Sequence, residues 1–458
     1  MFIFSQLLFI WPKFIKFALT MTKKHTNLRL FSLFLSIFGL VCFASLHSAA
    51  WAAPGLVITQ GQATLAAADT VVVCDTMDFV EDTDSVMEVQ LEWPENISVG
   101  IDNLLQSPMF GRSQVGIMVF DLDADSVIYD YNSQQLMRPA SVMKLLTSTT
   151  ALNYLGGKHM FTTGLYTTGE VQDSVLHGDV YIKGGFDPLF GADDMAAFVQ
   201  SLKDDNIYRI DGRIYADVSF KDTLKWGEGW CWDDKEATLT PLLYEGKDIF
   251  MDKFMQRLTA EGISHPTTYS RSRAIGMNLN IMCERSHSIS QMLTHMMKAS
   301  DNLYAESLFY QLGSGTESYA SWRRSASKEY DFIRSLSLNP DLYAVADGSG
   351  LSLYNYLTPH LVVRLLRYVW QTPRIYDYLY PSLPIAGVDG TLKSRMHGTP
   401  AYNNVRAKTG TVRKVSTLAG YVTAANGHRL AFAIFNQGIL NSAEGRSFQD
   451  KVCVVLAQ

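Results

Sequence analysis

The sequence predicts an α+β domain in which helices flank an antiparallel sheet, with a mostly-β segment inserted into it. Three observations carry this expectation. Paired apolar strands open the regular patterning in GIMVFDLDADSVIYDYN, Gly116 to Asn132. Three consecutive strands close it in NVRAKTGTVRKVSTLAGYVTAANGHRLAFAIFNQ, Asn404 to Gln437. Between them, helical runs are interrupted from about residue 160 to 285 by short strands and turns: GDVYIKGGFDPLF, IYRIDGRIYADVSF and GEGWCWDD.

The elements follow in chain order. Lys23, Lys24 and Arg29 precede an apolar run from Leu30 to Leu46. HSAAWAAP comes next, in which Ala50-Trp51-Ala52 fits a small-x-small cleavage site. Residues 1–52 are therefore expected to be an export leader starting at Met1 or Met21. The run of 17 residues is near the lower limit for a membrane span, so an uncleaved anchor stays open as the alternative. Val41 before Cys42 argues against a lipoprotein site. Residues 53–95 read as an exposed linker, because Asp75 to Glu95 carries eight acids and no bases.

The first hairpin turns at Asp121 to Asp125. MRPASVMKLLTSTTALNYLGG, Met137 to Gly157, reads as a buried helix with Pro139 at its start and Gly156-Gly157 at its end. Residues 161–285 form the insert, and residues 96–160 and 286–458 the main domain. Ser288 to Gly313 and Tyr354 to Trp370 read as helix, and Asn426-Gly427 turns the last strand pair.

With 458 residues, 47% hydrophobic and 18% charged, the chain has the profile of a folded globular protein. Collagen-like, coiled-coil and mainly disordered classes are excluded. The formal net charge is -6, and loss of the five bases in residues 1–52 takes it to -11. That acidity leaves no footprint for nucleic acid. Without the leader four cysteines remain, Cys74, Cys231, Cys283 and Cys453, and three disulfide pairings stay open. No His stands at metal-ligand spacing from a Cys, and neither metal nor cofactor is expected.

Ser141-Val142-Met143-Lys144 is an S-x-x-K at the start of the apolar helix. Residues i and i+3 share a helix face, so the Lys amine can reach the Ser hydroxyl. A desolvated Lys takes the hydroxyl proton and makes Ser141 a nucleophile, and the helix N-terminus favours the developing negative charge. A second S-x-x-K, Ser325 to Lys328, lies in the polar stretch RRSASKEYD and reads as solvated surface. Ser300-Asp301-Asn302 and Lys408-Thr409-Gly410 then follow in order. Ser300 can relay a proton to a leaving nitrogen. Asn302 can bind a substrate peptide through its amide and help place Lys144. Lys408 offers a cation and Thr409 a hydroxyl to a substrate carboxylate. Gly410 lets a substrate strand approach the backbone. The backbone N–H groups of Ser141 and Thr411 form the expected oxyanion hole. Taken singly, Lys144 reads as a solvated helix-start lysine and Lys408 as an edge-strand charge. Three motifs in order displace both alternatives.

This ordered triple resembles the D-alanyl-D-alanine carboxypeptidase/endopeptidase family of low-molecular-mass class C penicillin-binding proteins (penicillin-binding protein 4 type). The likeness runs from about Ile97 to near the C-terminus and extends to RPASVMKLLT, GDVYIKGGFDP, DGRIYADVSF, GEGWCWDD, ADGSGLSLYN, AGVDGTLKSRM and RAKTGTV. It implies a penicillin-recognising, β-lactamase-like serine peptidase fold. It implies acylation of Ser141 by a D-Ala-D-Ala carbonyl, loss of the terminal D-Ala, hydrolysis by water, and capture of β-lactams by the same serine. The implied partners are peptidoglycan stem peptides and β-lactam antibiotics, and the implied location is periplasmic or otherwise extracytoplasmic. Self-association into a homo-oligomer stays open.

The departures from the family pattern are local. Ser141 and Ser300 stand 159 positions apart, shorter than in large-insert members, which implies a missing or minimal accessory domain. The usual G-G-G-D-P is here Gly184-Gly185-Phe186-Asp187-Pro188. Family analogy places Asp187 near the substrate's distal amino group, and the plain alternative is a tight turn capped by Asp. Leu353 stands where a basic residue is common. A β-lactamase of the same fold would share the acylation, but no E-x-x-L-N element is present, and the Y-x-N at Tyr402 to Asn404 sits only four residues before Lys408. An inactive peptidoglycan-binding scaffold is opposed by the intact Ser141, Lys144 and Asn302. Neither a G-x-S-x-G elbow nor an H-E-x-x-H occurs.

Overall fold

The computed structural model describes residues 91–274, 278–315 and 319–458. The leader, the linker up to residue 90 and Cys74 lie outside the described residues. The chain opens with helix α1 (Glu95–Leu105), strands β1 (Gln114–Asp121) and β2 (Ser126–Tyr131) and helix α2 (Met143–Tyr154). Strands β3 (Met160–Thr167), β4 (Glu170–Gln172), β5 (Val175–His177) and β6 (Val180–Lys183) lead to helix α3 (Ala192–Asp204). Strands β7 (Arg209–Ile210) and β8 (Ile214–Asp217), helix α4 (Phe250–Ala260) and strands β9 (Tyr269–Arg271) and β10 (Asn280–Ser288) follow. Helices α5 (Ile289–Ala299), α6 (Asn302–Leu312), α7 (Trp322–Ser335), α8 (Pro359–Trp370) and α9 (Pro373–Ser382) precede strands β11 (Arg406–Val412), β12 (Val415–Thr423) and β13 (Arg429–Gln437). Helix α10 (Ser442–Leu456) ends the chain.

The expected first hairpin and the expected last three strands join into one antiparallel sheet, ordered β11-β12-β13-β1-β2. Side chains alternate across each strand. Val115, Ile117, Val119, Phe432 and Ile434 therefore share one core with Ile97 and Ile101 of α1 and Val452 of α10. Met118, Phe120, Ala433 and Phe435 share the other with Leu145, Met296, Leu308 and Leu366. With both faces covered, β12 is buried continuously from Val415 to Val422. Helices α1 and α10, rather than strands, open and close the domain, which corrects the sequence expectation.

The strands of the insert form a second sheet, ordered β10-β3-β6-β8-β9, and a small one, β4-β5-β7. β6, β8 and β9 run parallel. Parallel neighbours need crossovers, and α3 and α4 lie on those connections. Neither helix was foreseen, although Met195, Phe198, Val199 and Leu202 at i, i+3, i+4 and i+7 give the buried face of α3. Phe198, Phe250 and Phe254 pack with Ile182 and Ile214 in a third core.

Other differences are local. The Met137 helix starts late: Ala140 takes a φ of 45°, Ala140–Val142 make one 3-10 turn, and α2 begins at Met143. The Ser288–Gly313 run is two helices, broken at Ser300. The helix expected from Tyr354 begins at Pro359, where Thr358 Oγ1 accepts from Leu361 N–H at 3.0 Å. RRSASKEYD is solvated on one face only, because it lies in α7 with Ser325, Ala326 and Glu329 buried. Its inward face mixes the polar Ser325 and Glu329 with Ala326, Phe332 and Ile333, which blurs the apolar stripe. Lys328 remains exposed. Cys231, Cys283 and Cys453 are free thiols. Among the described residues, no helix is long and apolar enough to cross a membrane.

One close approach joins the start of α2 to the Asp347–Ser352 loop. Gly350 has a φ of 81°, and a Cβ there would meet Ala140 O at 1.8 Å. Gly350→Ala therefore combines left-handed strain with a backbone clash and is expected to cost at least about 2 kcal/mol. Denaturant unfolding of the variant against wild type measures it.

Candidate active site

Three distant segments hold the turn that carries Ser141. Thr417 Oγ1 of β12 donates to Pro139 O at 2.7 Å, and Arg138 N–H donates to Gln437 Oε1 at 3.1 Å. Met137 and Leu357 exchange backbone hydrogen bonds. β11 lies at the sheet edge beside the same turn. A Cβ on Gly410 would meet Pro139 O at 2.8 Å and Ser141 N at 2.9 Å. The glycine of Lys408-Thr409-Gly410 thus has a nearer reason than an approaching substrate: β11 and the Ser141 turn touch through it. Thr411 is exposed on that edge.

Lys144 is fully buried on the first turn of α2. Its Nζ lies 3.0 Å from Ser141 Oγ, 2.7 Å from Asn302 Oδ1 and 2.8 Å from Ser349 O. Desolvation pushes this ammonium down to about 8, against the opposing pull of Asp347, Glu306, Asp301 and Glu236. The two oxygens of Asn302 and Ser349 can only accept here. In the neutral amine they take both N–H bonds, and the lone pair faces the Ser141 hydroxyl.

Ser300-Asp301-Asn302 makes the corner between α5 and α6. Ser300 ends α5 at a φ of 61°, Asp301 caps α6 by accepting from Tyr304 N–H at 3.2 Å, and Asn302 is its first residue. Ser300 Oγ meets Lys408 Nζ at 2.7 Å rather than Lys144. Lys408 is also fully buried and donates to Thr409 O at 2.7 Å. Both partners are neutral oxygens. Burial, and then the neighbouring Lys144, push the Lys408 ammonium well below the usual lysine range. Thr409 Oγ1 donates to Thr391 Oγ1 at 2.8 Å.

Several site residues escaped the sequence reading. Ser349 O reaches Lys144 because Glu306 accepts from Gly348 N–H at 3.1 Å and from Ser349 N–H at 2.8 Å. Burial and then Asp347 raise the Glu306 carboxyl to about 8. Asp347 accepts from Gly350 N–H, Ser352 N–H and Trp230 Nε1. Glu236, from the insert, accepts from Asn302 Nδ2 at 2.8 Å. Glu306 stands four residues after Asn302 and was findable by helix spacing, whereas Glu236 carries no local signal.

Asp187 is not brought into this cluster. It is buried, accepts from Leu189 N–H at 2.9 Å and lies 2.6 Å from His287 Nδ1. Burial raises its carboxyl and the His287 contact pulls it back. Phe186, where the family has glycine, keeps a φ of 58° and is buried against Tyr310 at 5.9 Å between ring centroids. Leu353 is exposed, and its carbonyl accepts from Arg138 Nε at 3.0 Å.

Known proteins resemble this chain over most of its described length. The chain is 26% identical to a D-alanyl-D-alanine carboxypeptidase of Actinomadura sp. (strain R39), over 78% of this chain and 84% of that one. It is 23% identical to D-alanyl-D-alanine carboxypeptidase DacB of Haemophilus influenzae, over 77% and 91%. In fold it is similar to penicillin binding protein 4 of H. influenzae, with a TM-score of 0.68 at 21% identity over 77% of this chain and 97% of that one. The Bd3459 predatory peptidoglycan endopeptidase of Bdellovibrio bacteriovorus has a TM-score of 0.51 at 18% identity, over 71% and 86%. The D-Ala-D-Ala carboxypeptidase 3 (S13) family pattern matches residues 97–244 and 239–458, and the chain belongs to that family.

Proposed function

We propose that this chain is an exported serine DD-peptidase that cleaves D-Ala-D-Ala ends and D-Ala cross-links of peptidoglycan through an acyl-enzyme on Ser141, and that β-lactams acylate the same serine. Residues 96–160 and 286–458 carry the chemistry, and 161–285 supply the accessory part. One observation carries the reading: Lys144, buried, has two acceptor oxygens and the Ser141 hydroxyl as its partners. The carboxypeptidase names of its relatives support the substrate class, and a neighbour of the same fold, Bd3459, is known acylated by penicillin G. Export fits a polymer that lies outside the cytoplasmic membrane and the basic-apolar-small pattern of residues 1–52.

Neutral Lys144 takes the Ser141 proton as Oγ attacks the carbonyl of the penultimate D-Ala. The oxyanion sits between the N–H groups of Ser141 and Thr411. The proton that Lys144 took passes through the Ser300 hydroxyl, which gives one proton to the leaving D-Ala nitrogen and regains one from Lys144, so the C–N bond breaks, an ester remains on Ser141 and Lys144 is neutral again. Water then attacks that ester, giving its proton to Lys144, which returns one to Ser141 Oγ. Lys408 and Thr409 hold the terminal carboxylate. A carboxylate arriving there supplies the counter-charge that the buried Lys408 lacks and keeps it protonated.

Ser141→Ala is expected to abolish penicillin labelling and D-Ala release in protein of unchanged circular dichroism. Labelling retained in that variant would refute the nucleophile. Lys144→Arg, which cannot lose its proton, should slow acylation by at least about a thousandfold. The base must be neutral, and burial has lowered its pKa to about 8. The acylation rate should therefore be level above pH 8 and fall about tenfold per unit below it, as single-turnover labelling across pH would show. Mass spectrometry of a cross-linked muropeptide separates end trimming from cross-link cleavage. Steady penicillin hydrolysis without D-Ala release would replace the peptidase with a β-lactamase.

A further inference from the structure

Asn302 is held from two sides. Its Oδ1 accepts from Lys144 Nζ at 2.7 Å, and its Nδ2 donates to Glu236 Oε1 at 2.8 Å. Glu236 is part-buried and belongs to the insert, 66 positions before Asn302. We propose that Glu236 is a positioning residue that locks the Asn302 amide, keeping its oxygen on Lys144 and its second N–H free for the substrate's carbonyl. The inference rests on the DD-peptidase reading above.

A side-chain amide has an accepting end and a donating end, and the two are nearly the same shape. Nothing about Asn302 alone chooses between two flipped orientations. An ionised carboxylate only accepts, and a lysine ammonium only donates. With Glu236 on one side and Lys144 on the other, one orientation satisfies both contacts and the flip breaks both. Nδ2 carries two hydrogens, and Glu236 takes one. Asn302 is only part-buried, which leaves the other hydrogen for a ligand, and a cleft of about 670 Å³ opens next to it beside Glu236, Ala237, Asp301, Leu303 and Tyr304.

The support behind Glu236 is also tied to the site. Trp230, six residues earlier, donates its Nε1–H to Asp347 Oδ2 at 2.8 Å. Asp347 holds the loop whose Ser349 carbonyl meets Lys144. The insert therefore reaches the lysine's environment by two routes, one through Asp347 and one through Asn302.

Glu236 also acts by its charge. The groups facing Lys144 are Glu236 from the insert, Asp301 from the α5–α6 corner, Glu306 from α6, Asp347 from the loop before α8, and Lys408 from β11. Removing one negative charge makes Lys144 lose its proton at lower pH.

The test uses full-length wild type, Glu236→Gln and Glu236→Ala, reading single-turnover penicillin acylation and D-Ala release across pH. Glu236→Gln keeps an acceptor oxygen, so its plateau rate should stay within about threefold of wild type while the acid limb moves to lower pH. Glu236→Ala should show the same shift of the limb and lose roughly tenfold in plateau rate. A purely structural Glu236 would lower thermal stability and leave the acid limb where it was, which would overturn the proposal. Active wild type with both variants indistinguishable from it would overturn it as well. Wild type that neither labels nor releases D-Ala would overturn the peptidase reading, and this inference with it.

Discussion

The ammonium of Lys144 has been taken out of water at the start of α2, and an unpartnered buried ammonium costs far more than a single hydrogen bond returns. Its three contacts come from three parts of the chain: the Ser141 turn, the α5–α6 corner and the loop before α8. Each contact needs further support. Ser141 is placed by Pro139 on Thr417 and by Gly410 of β11. Ser349 is placed by Glu306. Sheet, corner and loop are therefore mutually dependent, and the buried lysine links them. Lys408 extends the pattern: it too is buried and met by neutral oxygens, but no carboxylate offsets its burial as Asp347 and Glu306 do for Lys144.

Left-handed backbone also occurs at these corners. Ala140, Ser300 and Gly350 take φ values of 45°, 61° and 81°. For the two residues with side chains, left-handed backbone costs about 1–2 kcal/mol each. They stay there because the surrounding hydrogen bonds over-determine them: Ser300 N–H closes α5 on Met296 O and Thr417 pins the residue before Ala140. Phe186 carries similar strain outside the cluster, in a turn that the family makes with glycine. There the buried ring, packed on Tyr310, offsets a cost that glycine would not incur.

The insert is joined to the chemistry through side chains. Trp230 reaches Asp347 and Glu236 reaches Asn302. Asp187 meanwhile is turned to His287 and its own turn, which fits the cap that the local sequence allows. Leu353 offers only its carbonyl, to Arg138.

The ordered motifs Ser141–Lys144, Ser300–Asn302 and Lys408–Gly410 were legible because i, i+3 spacing and strand alternation are short-range properties of the chain. The same holds for the hairpin near Asp121 and for the last three strands. The helices of the insert left an apolar period that could have been counted, while that of α7, Ala326, Phe332 and Ile333, is broken by the polar Ser325 and Glu329. Tertiary structure alone decided which lysine meets which serine: Ser300 went to Lys408, and Lys144 to Ser141 and Asn302. It alone brought Glu236, Ser349 and Asp347 to the site. Sequence determines which groups are available over one or two turns. Which buried donor meets which acceptor across 60 or more positions is settled only when the folded chain removes water and each polar group must find a partner.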